Sequence, residues 1–118
     1  MQYMILIYGE EQSWVAMPEE ARRAVYAAHE AYANRLVQAG VLRGGSELAP
    51  TTSATTLRMR GGRVVQTDGP FAETREQLGG YYLVEVANLD EALRWARECP
   101  GVADGCVVSC AGTLAARR

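Results

Sequence analysis

"GYYLVEVANLDEALRWARECPG", residues 80–101, decides the fold of this chain. Its first seven residues are rich in tyrosine and valine, so residues 80–86 read as a strand. Asn88 then offers a helix N-cap. Glu91 follows three residues later, the spacing of a capping box with asparagine in the cap position. Leu89, Ala92, Leu93, Ala96 and Cys99 recur at helical spacing and give this helix one apolar face, which Pro100 stops. A strand that passes almost directly into an amphipathic helix is a unit of a layered α and β domain.

Similar units lie on either side. Gln2 to Tyr8 is a strand ended by Gly9. Pro18, Glu19 and Glu20 open a helix, since proline suits the first helical position and two carboxylates suit the positive end of the dipole. The apolar series Ala21, Val25, Ala28, Tyr32, Leu36 and Ala39 carries that helix to about Gly40. "VLRGGSELAP", residues 41–50, reads as a short extended piece with turns. Residues 54–60 and 63–67 flank Gly61-Gly62, a two-residue hairpin turn. Residues 105–111 form a last strand, on which Cys106 and Cys110 both sit, and the tail 112–118 frays. The order β, α, β-hairpin, β, α, β predicts an α+β domain with both helices on one face of the sheet. The opposite face keeps apolar side chains and predicts a homodimer through that open face.

The chain has 118 residues, enough for one domain, and a net charge of −2. No basic field exists to draw nucleic acid. Every one of the 12 basic residues is arginine. Schiff-base chemistry and P-loop phosphate binding are thereby excluded, because both need lysine. No apolar run approaches the roughly 20 residues of a membrane span, and "MQYMILIYGEE" lacks the basic start of a signal peptide. Three cysteines without a C-x-x-C spacing read as reduced thiols, and a cytoplasmic location follows. No nucleotide, flavin or metal motif is present, so no cofactor is expected.

His29, the single histidine, lies on the inward stripe of the first helix. It is either a packed residue that finds one hydrogen bond or a general acid–base, since its ordinary pKa suits proton transfer at neutral pH. Asp68, before Gly69-Pro70, is either the carboxylate of an Asx-type turn or a group that orients a histidine. Tyr81 and Tyr82 must face opposite sides of the sheet, one toward the core and one toward a cavity. Glu85, on the Tyr81 side, is solvated or sits in a pocket. Cys99 reads as a small buried apolar residue, because a helix C-terminus disfavours a thiolate. Arg58, Arg60 and Arg63 cluster on the hairpin, where they guard a strand edge or meet an anionic ligand or a protein partner.

The stretch from "TDGPFAETREQLGGYYLVEV" to "CPG" (residues 67–101) resembles the YCII-related superfamily in its DGPF branch. The likeness extends to "MQYMILIYGEE", "AGVLRGGSELAP" and "ATTLRMRGGRVVQTDGPF", and fades near residue 105. The resemblance implies a ferredoxin-like βαββαβ topology with an extra hairpin, assembled as a dimeric α+β barrel akin to muconolactone isomerase. It also implies a histidine–aspartate pair. A related enzyme removes chloride from a chlorinated hydroxyquinol, and some DGPF proteins are encoded beside extracytoplasmic-function sigma factors. The superfamily histidine falls on His29, but Cys99, before Pro100, stands where the aspartate would be. Asp68 is the nearest candidate to complete the pair. The family's closing strand carries a glutamate and an arginine. Here Gly105-Cys106-Val107-Val108-Ser109-Cys110-Ala111 has neither, and a more apolar pocket or altered dimer packing follows.

The expected function is therefore a small cofactor-independent lyase or isomerase acting on an aromatic or polyketide-like molecule. His29 and Asp68 would be catalytic, with Phe71, Tyr81, Tyr82, Glu85 and Cys99 around the substrate. The alternative is a non-catalytic ligand-binding or regulatory protein with a partner such as a sigma factor.

Overall fold

The computed structural model describes residues 1–114. In chain order the elements are β1 (Gln2–Gly9), α1 (Glu11–Ala16), α2 (Glu19–Gln38), β2 (Leu42–Glu47), a 3-10 turn (Thr51–Ser53), β3 (Thr55–Arg60), β4 (Arg63–Asp68), β5 (Gln77–Glu85), α3 (Leu89–Arg97), α4 (Pro100–Ala103) and β6 (Val107–Gly112). β1 lies inside a four-stranded sheet of order β2-β5-β1-β6, and its pairings with β5 and β6 are both antiparallel. This is the strand order of a ferredoxin-like α+β fold. β3 and β4 form a separate two-stranded sheet.

Side-chain alternation sets the two faces. Tyr3, Ile5, Val84 and Val86 are buried together with Tyr32 and Leu36 of α2 and Ala92, Trp95, Ala96 and Cys99 at α3. Each fully buried large apolar side chain here, such as Ile5 or Leu36, stabilises the fold by about 1.5–3 kcal/mol. Val108 and Cys110 pair with Ile7 and Ile5 and pack against this core. Met4, Leu6, Tyr81 and Leu83 occupy the other face, half-exposed.

Two glycines, Gly45 and Gly80, let the edge strand approach. β5 carries a bulge where Ile7 pairs with Gly80 and Tyr8 with Leu78, leaving Gly79 as the extra residue. A Cβ on Gly80 would stand 2.9 Å from the Ser46 carbonyl, and one on Gly45 would stand 2.8 Å from the Tyr81 carbonyl. Across the β2–β5 pairing Gly44 and Gly45 stand opposite Leu83 and Tyr82, and Gly80 stands opposite Glu47.

Several expectations need correction. Residues 41–50 are more than an extended piece with turns, because β2 pairs through Leu42–Glu47 and becomes the sheet edge. α1 was not legible as a helix, and Pro18 is the N-cap of α2 and not its first residue. Pro100 stops α3 and also starts α4. Cys106 precedes β6, so it does not share that strand with Cys110. Gly112 belongs to β6, and the Thr113 N–H and hydroxyl both donate to the Gln2 carbonyl, so the fraying expected from residue 112 does not begin there. The rest of that expectation, residues 115–118, lies outside the described residues. Among the described residues, no helix is long and apolar enough to cross a membrane.

Candidate functional site

Helical spacing places Val25, His29, Tyr32 and Leu36 on one stripe of α2. Tyr32 and Leu36 are fully buried, which leaves His29 one turn earlier, half-buried at the rim of the core. Tyr82 comes from β5 between buried Gly80 and buried Val84 and points to the same side. The His29 Nδ1 lies 2.8 Å from the Tyr82 hydroxyl oxygen, and the two rings are tilted by only 14°. Tyr32 braces this pair from behind. Its ring meets Tyr82 edge-on at 5.1 Å, and its hydroxyl donates to the Trp95 carbonyl at 2.7 Å.

Burial holds the His29 imidazole below its ordinary 6.5, and the negative charges of Asp104 and Glu47 offset part of that. Burial also pushes the Tyr82 phenol up to about 12, with Cys99 adding to the rise. Both partners are therefore neutral near pH 7. Two hydrogen-bond arrangements satisfy a neutral pair. In one, the Tyr82 O–H donates to Nδ1 and Nε2 carries the proton. In the other, Nδ1–H donates to the Tyr82 oxygen, Nε2 is a free base, and the phenol proton is free to donate elsewhere. The second arrangement presents a base and a donor side by side.

The rim is built by α1 and β2. The Tyr26 hydroxyl donates to the Glu47 carboxylate, 2.9 and 3.0 Å from its two oxygens, and the Trp14 ring meets Tyr26 edge-on at 5.4 Å. The hydrogen bond to Glu47 is also the main reason the Tyr26 phenol sits above its usual pKa. The Glu11 carboxylate accepts from the Thr51 N–H and hydroxyl, and its own N–H donates to the Gln77 side chain. These bonds hold α1 across the β2 and β5 ends. An open hollow of about 300 Å³ lies beside α1, lined by Glu11, Gln12, Val15, Ala16, Pro50 and Thr52. His29 does not line it.

The other expected residues are placed as follows. Asp68 ends β4 opposite Thr55, exposed, and among the described residues no hydrogen bond joins it to His29 or to the turn after it. That turn is closed by backbone: the Gly69 N–H donates to the Ala54 carbonyl at 2.6 Å, and Gly69 has φ +98°, a conformation that favours glycine. Phe71 is exposed, and its carbonyl accepts from Arg58. Tyr81 lies on the open face with Leu83. Glu85 accepts from the Met1 amino group at 2.6 Å, which holds its carboxyl below the usual range. Cys99 is buried, and burial pushes its thiol up, so it is not a thiolate at neutral pH. His29 and Tyr82 thus meet directly, with Cys99 near Tyr82. Tyr26, Glu47 and Asp104 were missed. Tyr26 was readable in principle, being three residues before His29 on one helix. Glu47 and Asp104 come from distant segments and left no local signal.

Comparison with known proteins agrees with this architecture. The sequence model of the YCII-related domain matches residues 1–111. An uncharacterized protein, R00369, of Rhizobium meliloti (strain 1021) is 44% identical over 98 residues, which cover 83% of this chain and 79% of that protein. Among solved structures, the 5-chloro-2-hydroxyhydroquinone dehydrochlorinase TftG from Burkholderia phenoliruptrix AC1100, in complex with 2,5-dihydroxybenzoquinone, superposes with a TM-score of 0.51. It is 19% identical, and the match covers 92% of this chain and 91% of that one.

Proposed function

The chain belongs to the YCII-related family, and on that premise we propose that it is a small lyase or isomerase acting on a hydroxylated aromatic or polyketide-like molecule. The observation that carries this reading is the 2.8 Å contact between His29 and Tyr82, two groups held neutral at the rim of the core. His29 Nε2 takes a proton from a substrate hydroxyl or activated C–H. The resulting imidazolium keeps its Nδ1–H on the Tyr82 oxygen, and Nε2 then returns the proton to product or leaving group. The Tyr82 hydroxyl donates to the substrate oxygen on which charge develops. TftG, whose fold this chain resembles, supports the substrate class through the quinone bound in its structure. The reaction needs no cofactor, and the protein works in the cytoplasm as a homodimer joined through the Met4, Leu6, Tyr81 and Leu83 face.

The test is ultraviolet–visible turnover of a panel of hydroxyquinols and hydroxylated aromatic ketones by wild type and His29→Gln. Loss of about 10²–10⁴-fold in kcat is expected for removal of a general acid–base. A variant as fast as wild type would overturn the reading. A second reading, ligand binding without catalysis, is favoured by one observation: His29 is not among the residues that line the open hollow beside α1. Saturable binding of a panel member without turnover by wild type would select it.

A further inference from the structure

The sheet seam that faces α2 is bare between two polar side chains. Opposite residues share a face, so Gly45 and Glu47 of β2 lie on the helix side with Gly80 and Tyr82 of β5. Of these four positions only Glu47 and Tyr82, on one diagonal, carry side chains. The other diagonal excludes them, because a Cβ on Gly45 or Gly80 would meet the Tyr81 or Ser46 carbonyl at 2.8 or 2.9 Å. The Leu48 N–H donates to the Gly79 carbonyl at 2.8 Å and pins β2 just past Glu47. α2 bonds to both corners of the occupied diagonal, Tyr26 to Glu47 and His29 to Tyr82. Helix residues three apart and diagonal strand neighbours set these two pairs roughly 5–8 Å from each other, the scale of one substituted ring. Tyr26 and Glu47 are exposed, so a ligand reaches them from solvent.

We propose that Glu47, held by Tyr26, is the specificity-determining carboxylate of the His29–Tyr82 site: it accepts a second hydroxyl of an uncharged ring and turns away a ring that carries a carboxylate there. This role deepens the proposed function and rests on its placing of substrate at His29 and Tyr82. A carboxylate only accepts hydrogen bonds, and its two oxygens offer about four acceptor positions, so the Tyr26 hydroxyl leaves capacity for another O–H. Local charge gives the selection its sign. The charges that act on His29 are those of Asp104 and Glu47, both negative. Arg22 is the cation that acts on Tyr26, but its guanidinium donates to the Val15 and Met17 carbonyls at 3.2 and 2.6 Å. Among the described residues no arginine bonds to either pair. A hydroxyl meets an acceptor at Glu47, whereas an anion meets like charge, the repulsive element that discrimination needs.

His29 is the only histidine, so its imidazole NMR signals report occupancy of the site without any turnover. Phenol, catechol and salicylate, which differ in the group beside one hydroxyl, are titrated into wild type, Glu47→Ala, Glu47→Gln and Glu20→Gln. Glu20 is exposed in the first turn of α2 and controls for loss of a charge elsewhere on that helix. Wild type should bind catechol about ten-fold or more tighter than phenol, as for one hydrogen bond to a charged acceptor, and salicylate more weakly than catechol. Glu47→Ala should bind catechol and phenol alike, with phenol affinity unchanged. Both Glu47 variants should bind salicylate several-fold tighter than wild type does, and Glu20→Gln should match wild type throughout. Equal affinity of wild type for phenol and catechol overturns the proposal. So does a catechol preference that survives in Glu47→Ala, or one that Glu20→Gln also loses. His29 signals that none of the three compounds moves overturn it as well. Turnover is read separately. Catechol preference without turnover removes the acid–base reading alone, whereas His29-dependent turnover indifferent to Glu47 removes this role alone.

Discussion

Adjacent, identical residues should respond oppositely to one methyl group. Gly79 and Gly80 both have φ in the ordinary negative range, so alanine is allowed by backbone conformation at each. At Gly80 the new Cβ would stand 2.9 Å from the Ser46 carbonyl oxygen and 3.4 Å from the Glu47 Cα. Both are backbone atoms of β2, and relief requires β2 to move away from β5. Overpacking of this kind costs about 1–3 kcal/mol. At Gly79 the nearest atom is the Ile7 carbonyl oxygen at 3.8 Å, an ordinary contact. There, alanine mainly reduces the freedom of the unfolded chain, worth about 0.4–1 kcal/mol of stability. Gly79→Ala should therefore be neutral or slightly stabilising. Gly80→Ala should lose about 1–2 kcal/mol net, since it gains the same unfolded-state term. The expected gap in Tm is roughly 5–15 °C for a domain of this size. Urea titration and calorimetry of the two variants read it directly. A Gly80→Ala protein as stable as Gly79→Ala would refute the close-approach argument and the β2–β5 register with it.

Other outcomes follow from the site and its supports. His29 is the one histidine, so a single imidazole signal in NMR should titrate below 6.5. Because its folded pKa is lowered, the unfolded chain binds the extra proton first. The stability tied to this group is full above about pH 6.5 and falls as pH drops toward the folded value. His29→Gln should remove that slope. Tyr82→Phe should cost about 1–3 kcal/mol by leaving Nδ1 without its partner, measured by denaturant midpoint, and should slow any turnover. Asn88→Ala should cost about 1 kcal/mol, because its side chain accepts the Glu91 N–H at 3.0 Å as the cap of α3. Leu36→Ala, at a fully buried position, should cost about 2–5 kcal/mol; a loss under about 1 would contradict its place in the core.

Local chemistry made much of this fold readable. The Asn88 cap, the Gly61-Gly62 turn and the strand before α3 each rest on residues close in sequence, and each is present. One detail differs: the Glu91 carboxylate reaches the Ala87 N–H and not that of Asn88. α1 was hidden because its six residues are too few to show a period. β2 was hidden because Gly44-Gly45 suggests a turn, and only the opposing Tyr81 carbonyl explains Gly45 in a strand. The outward and inward assignment of Tyr81 and Tyr82 needed the register of β5. For the site, the position of His29 on the inward stripe was legible. Its partner was not, because Tyr82 is 53 residues away and only the sheet brings it near. The carboxylate near His29 was sought at Asp68, but the charges that act on it are those of Asp104 and Glu47.

The interior position of β1 has a kinetic consequence. This strand is made first, yet its two neighbours, β5 and β6, begin at residues 77 and 107. A chain emerging from the ribosome can close the β3–β4 hairpin within microseconds, through a two-residue turn. It cannot pair the second edge of β1 until residues 107–112 are free. Until then β1 presents apolar residues and an open edge, the state most prone to stray pairing. Its long-range closure should therefore be the slow step, and the time spent waiting for β6 is when this protein most needs shielding from itself.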